Sequence, residues 1–267
     1  MLSLEQFIIY AYFFSDFYRL SAVFGVSSGM YAKLYFSALA SLVAFLVSAS
    51  LFIKSRKQPP GKKTFVLLSI ATFVGGLSTL SVAVASYFYI TTPSLFTFVP
   101  TATLVMYRIH FISIPLILVF FWLFFSQLIR VRRVIIYVFI TIFLIVLILN
   151  SITTITAEEV QLTLSVNMDL VASLVTLVTW LVAFFIIALS FYYYASKQKD
   201  ERRIMGLILG TAAVSAIMVQ VSNLFALLLS NAVLEASVWL FAALAFTLMY
   251  FGLLPPKRLL PKQQTGQ

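Results

Sequence analysis

The chain has no cysteine, a single histidine and only eight acidic residues in 267. Without cysteine there is no disulfide, no thiolate metal site and no cysteine nucleophile. One histidine, His110, excludes a bis-histidine haem, and no HExxH pattern or phosphate-cradling glycine loop occurs. Glycine is scarce, and the adjacent pair Gly75–Gly76 in "FVGGLS" sits in an apolar run, where close helix approach explains it. The last apolar segment, 234–254, has no lysine, so a retinal Schiff base is excluded there. The expectation is therefore of no enzyme, no catalytic residue, no metal and no cofactor.

Charge is scarce as well. Charged residues make up 10% of the chain, whereas a soluble domain carries about 25%. No polar stretch exceeds about twenty residues, so no separate soluble domain is expected. A basic run followed by an apolar core and a small-residue cleavage site is missing at the N-terminus, and no removable signal peptide is expected.

Apolar residues fill the space that charge leaves. They make up 62% of the chain, with a mean hydropathy of +1.07. That much apolar surface needs lipid as its solvent, and a bilayer core takes about 20 apolar residues per helix. Seven segments qualify: 34–53, 65–89, 102–128, 134–151, 168–195, 204–230 and 234–254. Closed backbone hydrogen bonding makes them helices. The expected fold is an all-α integral membrane bundle of seven transmembrane helices, spanning 34–254 and multi-pass in the cell membrane.

The basic residues set its orientation. Fifteen of the eighteen fall in alternate connections: 54–63, 130–133, 197–203 and the tail 255–267. The opposite connections hold Glu158, Glu159, Asp169 and Glu235. The positive-inside rule then places the N-terminus outside and the C-terminus in the cytoplasm. The net charge of +10 is accordingly a topology signal directed at anionic headgroups on the cytoplasmic side, not a nucleic-acid patch. "FYYYAS" at 191–196 reads as an interfacial aromatic belt, and Glu158–Glu159 as a solvated outer loop. Residues 1–33 form an outer segment. There "LEQFIIYAYFF" reads as a helix lying on the outer interface, the alternative being an eighth span in which Asp16 and Arg19 pair at i,i+3.

Polar groups inside spans are costly and each needs an account. Arg108 and His110 lie in the third span. Asp169 and Glu235 begin the fifth and seventh, and the outward-running sixth brings Gln220 and Asn223 to a similar outer depth. These six are the candidate ligand-binding residues of an outer cavity, with Arg108 anchoring a carboxylate or pairing with an acid and His110 responding to pH. The competing reading has Arg108 snorkelling to outer headgroups and His110 bonding to a neighbouring helix. Pro115 is the one proline deep in a span, and no internal repeat stands out, which counts against a transporter.

Two stretches, "MYRIHFISIPLILVFFWLF" in the third span and "LMYFGLLPPKRLL" at the end of the last, resemble the seven-helix sensor region found before many prokaryotic histidine kinases and diguanylate cyclases. The resemblance implies sensing on the outer side and helix movement passed to a cytoplasmic output. It makes Pro255, Pro256, Lys257 and Arg258 the coupling joint. Only seven residues follow Leu260, so no intrinsic output domain is expected. The reading is a stand-alone sensor or receptor-like protein that takes a small outer ligand or a membrane cue and acts through a protein partner at its basic face. A non-catalytic accessory subunit of a larger membrane complex, such as a respiratory assembly, is the alternative, with a small-solute transporter behind it.

Overall fold

A computed structural model of the chain describes residues 28–57, 62–91, 101–129, 131–160, 163–229 and 232–254. The start of the outer segment and the joint Pro255, Pro256, Lys257 and Arg258 lie outside them. Among the described residues there are seven helices and one hairpin. In chain order these are α1 (Ser28–Lys57), α2 (Lys62–Thr91), α3 (Thr101–Leu128), α4 (Arg133–Ile152), β1 (Ile155–Val160), β2 (Thr163–Met168), α5 (Leu170–Lys197), α6 (Asp200–Leu229) and α7 (Ala232–Leu253).

Among the described residues six stretches are long and apolar enough to cross a membrane: Met30–Arg56, Lys63–Thr91, Thr101–Leu128, Arg133–Ile152, Leu170–Lys197 and Glu201–Ala226. The apolar part of α7, Ser237–Leu253, is shorter. The chain is thus built as a multi-pass helical membrane bundle. Each helix packs on its neighbours in sequence and α1 closes against α7, so the helices form a ring in chain order. The thinnest seam in that ring lies between α4 and α5. Leu42, Leu46, Ile145 and Phe185 are among the large apolar side chains left exposed on the outside, as a lipid-facing surface requires.

Lipid tails are as apolar as leucine, so helices in a bilayer associate through small residues and interhelical hydrogen bonds. The α1–α2 seam is made this way. Ser37, Ser41, Ala44, Ser48, Leu51 and Ser55 are buried and recur every three or four residues along one side of α1. Ser48 Oγ donates to the Ser69 carbonyl at 2.8 Å, and Ser69 Oγ returns a bond to the Ser48 carbonyl at 2.9 Å. Two turns along, Ser41 Oγ donates to the Gly76 carbonyl at 3.0 Å. The two adjacent glycines seat rings from either side: a Cβ on Gly76 would lie 2.8 Å from the Phe45 ring of α1, and one on Gly75 would lie 2.5 Å from the Phe246 ring of α7.

Gly206 plays a harder role where α6 meets α5. A Cβ there would stand 2.9 Å from Ala195 Cβ and 3.2 Å from the Phe191 carbonyl oxygen. Because a backbone atom cannot swing aside, Gly206→Leu is expected to push the two helices apart and cost about 1–3 kcal/mol. A thermal melt in detergent should show the loss, with Gly206→Ala milder.

The hairpin corrects the sequence reading, which placed Glu158 and Glu159 in an outer loop and began the fifth span at 168. Both glutamates belong to β1, which pairs antiparallel with β2 from Ile155↔Met168 to Val160↔Thr163. The physical reason is written in the chain. Val160, Leu162, Leu164, Val166 and Met168 alternate with polar residues, the period of a strand with one apolar face. Asp169 then caps α5, its carboxylate accepting from the Val171 N–H at 2.9 Å. At the end of the bundle away from the hairpin, Arg56, Lys63, Arg132, Arg133, Lys197, Lys199, Arg202 and Arg203 are all exposed.

Candidate functional site

The ring encloses a cavity of about 440 Å³, inside the 300–1,000 Å³ range of small-molecule sites. Six helices and β2 line it, and α4 contributes no lining residue. On α3 the lining runs from Tyr107 through His110, Phe111, Ile114 and Ile117 to Phe121. These residues recur at helical spacing on one face and span about 21 Å of the axis at 1.5 Å per residue. The space is therefore long and narrow. At the hairpin end its walls carry Lys33, His110, Gln220, Asn223 and Ser173, while the far end is Phe121, Phe184, Phe246 and Met249.

His110 is held by α2. Its Nδ1 shares a hydrogen bond with Ser78 Oγ at 2.8 Å and lies 3.3 Å from the Ser78 carbonyl. Its ring also meets Trp239 of α7 edge-on, with centroids 5.9 Å apart. Trp180 on α5 donates from Nε1 to the Ala216 carbonyl of α6 at 2.8 Å. The Trp239 indole nitrogen, by contrast, is buried with no hydrogen-bond partner among the described residues.

Of the six candidate residues, the structure brings His110, Gln220 and Asn223 to this one cavity. Asp169 does not line it and serves as the α5 cap. Glu235 lies in the first turn of α7, and its side chain is outside what is described. Arg108 also does not line the cavity. Its guanidinium Nη1 donates to the carbonyls of Asn150 and Ser151, at 3.3 and 3.1 Å, and to that of Thr153. The first two are among the last carbonyls of α4, which have no partner within their own helix, and Thr153 is the residue that caps it. Arg108 thus caps α4 from α3, and its positive charge suits the negative end of that helix.

Two residues that sequence reasoning passed over complete the site. Asn150, fully buried on α4, donates from Nδ2 to the Phe111 carbonyl at 3.0 Å and accepts at Oδ1 from Thr176 Oγ1 at 2.9 Å. The Phe111 carbonyl is the one that Pro115, lacking an N–H, leaves without its i+4 donor. A proline inside a span was therefore itself the signal that a donor had to come from a neighbouring helix. Phe111 and Thr176 both line the cavity, so this node ties the cavity wall to α4. Lys33, the second omission, was assigned to the outer segment because the first span was expected to begin at 34. The helix in fact begins at Ser28, and Lys33 is 5% exposed, with its Nζ 5.3 Å from the centroid of the Tyr107 ring.

No protein-family model, curated protein or solved structure matches the chain.

Proposed function

We propose that this protein is a stand-alone, receptor-like membrane sensor whose central cavity holds a small, largely apolar ligand and which acts through a separate partner at its basic end. The observation that carries this reading is the enclosed cavity itself, with polar groups gathered at one end and apolar walls beyond. In the proposed orientation the N-terminus and hairpin face outward and the basic end faces the cytoplasm, following the positive-inside rule. The exposed arginines and lysines there engage anionic headgroups and an acidic partner surface. Ligand occupancy moves the wall residues Phe111 and Thr176, and Asn150 passes that movement to α4, whose far end carries Arg132 and Arg133.

The test is a thermal-shift screen of apolar compounds on protein in lipid nanodiscs, run beside Ala242→Phe, which fills the cavity at a buried lining position. A ligand present at 100 times its Kd stabilises by about 2.7 kcal/mol, so true ligands raise the wild-type Tm by several degrees and leave the variant unmoved. Shifts equal in both proteins would remove the cavity from the account. An accessory subunit would instead show no ligand response and would co-purify with stoichiometric membrane chains. Solute flux into liposomes would point to a transporter.

A further inference from the structure

We infer that the occupant of the cavity is a neutral, lipid-soluble alcohol whose hydroxyl bonds His110 and Gln220 and which enters from the bilayer between α5 and α6. This deepens the receptor reading above and rests on it.

Most polar groups on the cavity wall are already spoken for within the protein. Thr79 Oγ1 turns back to the Gly75 and Gly76 carbonyls of its own helix, both at 3.1 Å. Ser173 Oγ donates to the Met168 carbonyl at 3.3 Å, and the Thr176 hydroxyl and Trp180 indole are spent on Asn150 and Ala216. Lys33 is engaged as well, beside the Tyr107 ring. Two lining groups differ. His110 spends Nδ1 on Ser78, while its Nε2 has no hydrogen-bond partner among the described residues and is not sealed by surrounding atoms. The carboxamide of Gln220, partly buried on α6, has no such partner either. Both line the cavity, each about 14 Å below the hairpin-side end of its helix, so they stand at a similar level. Trp239, whose ring meets His110, adds an indole N–H that also lacks a partner among the described residues. Polar groups withdrawn from water without partners are costly, and here they mark where a ligand's own polar atom belongs.

The chemistry of that atom follows from theirs. An imidazole nitrogen and a carboxamide carry no fixed charge, and no carboxylate lines the cavity among the described residues. A hydroxyl both donates and accepts, so it serves Nε2 in either tautomer of His110 and either end of the Gln220 amide. A carboxylate would only accept, and would bring its charge out of water toward a lysine that is already engaged. Below His110 the α3 wall continues through Ile114 and Ile117 to Phe121, about 16 Å deeper. Phe184, Ala245 and Met249 complete this part, and the one hydroxyl there, that of Thr79, is already bonded. The deep end thus takes a hydrocarbon body.

The α5–α6 flank supplies the route. Leu170, Leu174 and Leu224 line the cavity and yet are 71%, 50% and 40% exposed. On the α2 and α3 walls the lining is closed, with Val82 at 0% and Ile114 at 7%. Side chains that face both a cavity and the surroundings mark an opening, and on the flank of a membrane bundle it leads into lipid.

Protein in zwitterionic nanodiscs is titrated with three probes of equal length brominated at mid-chain: a fatty alcohol, the alkane and the ionised fatty acid. Bromine quenches nearby indoles, and Trp180 and Trp239 line the cavity. The alcohol is expected to quench saturably, about tenfold more tightly than the alkane, as two net hydrogen bonds allow, and more tightly than the acid. Ala242→Phe should abolish the saturable phase. His110→Phe should erase the preference for the alcohol, and His110→Gln should keep it, because a glutamine amide reaches the position of Nε2. Gln220→Leu should reduce the preference about threefold, and it decides alone if His110→Phe does not fold. Leu174→Phe/Leu224→Phe should slow the onset of quenching in stopped flow with an unchanged endpoint.

Equal affinity for alcohol and alkane would overturn the hydroxyl head, and an acid that binds as tightly would overturn its neutrality. A preference untouched by His110→Phe and Gln220→Leu would overturn the assignment to these two residues. Unchanged onset in the double leucine variant would overturn the lateral route. The receptor reading stands in each of these cases as long as wild type and Ala242→Phe differ; saturable quenching that is equal in those two proteins removes the reading itself.

Discussion

Asn150→Leu should lower the stability of the bundle by about 2–3 kcal/mol, more than its exchange of one medium-sized side chain for another suggests. The substitution removes two hydrogen bonds and strands two buried partners, the Phe111 carbonyl and the Thr176 hydroxyl. Each stranded group costs about 1–3 kcal/mol, while an interhelical bond in a membrane averages about 0.6 kcal/mol. The low end of the sum is the expectation, since the Thr176 hydroxyl can turn back to a carbonyl of its own helix. Pro115→Ala gives the sharper test. With alanine at 115 the helix supplies its own N–H to the Phe111 carbonyl, so Asn150 has less to repair. In a double-mutant cycle read by steric-trap or detergent unfolding, Asn150→Leu should then cost about 1 kcal/mol less in the Pro115→Ala background. An equal cost in both backgrounds would mean that Asn150 does not compensate for the proline.

Arg108→Leu carries the second large effect, expected at about 2 kcal/mol because hydrogen bonds to a charged group are worth about 1.5–3 kcal/mol and the C-terminal carbonyls of α4 lose their partner. The cost should be local. With no cysteine in the chain, a single Thr153→Cys is a clean probe at a buried position. Maleimide labelling there should be slow in the wild-type background and about tenfold faster beside Arg108→Leu, as the α4 end frays at a cost of about 1.4 kcal/mol less. Labelling that is unchanged by Arg108→Leu would favour an arginine that only reaches for headgroups.

Helices were the legible part of this chain, because a run of apolar residues long enough to span lipid has one backbone solution. Their bounds fall within a few residues of the expected ones, apart from α1, where six more residues precede the expected start. That difference removed Lys33 from consideration. His110, Gln220 and Asn223 were also legible as a group, since depth along a helix follows from counting residues. Which side of the helix a residue occupies depends on where neighbouring helices sit, and depth does not supply it. Arg108 and His110 are two residues apart on α3, about 200° around the axis at 3.6 residues per turn, and so face a helix end and a cavity respectively. The hairpin was legible but unread: its alternation at 160–168 was preceded by two glutamates and overshadowed by the longer apolar run behind it. Of the three basic residues outside the cytoplasmic-type clusters, Arg19 lies outside the described residues, while Lys33 and Arg108 have each proved to be structurally engaged.

The reciprocal join of α3 and α4 also fixes an order of events during synthesis. α3 reaches the bilayer with a backbone carbonyl exposed by its own proline, and the donor that satisfies it is made only 39 residues after that carbonyl, at Asn150. The acceptor side of Asn150 is filled later still, when Thr176 emerges with α5. A nascent chain stopped after α3 therefore leaves the membrane an unfinished helix, and one stopped after α4 leaves a buried amide half engaged. The Asn150 node is therefore complete only once the fifth helix has been delivered, and the ring itself closes later, when α7 meets α1.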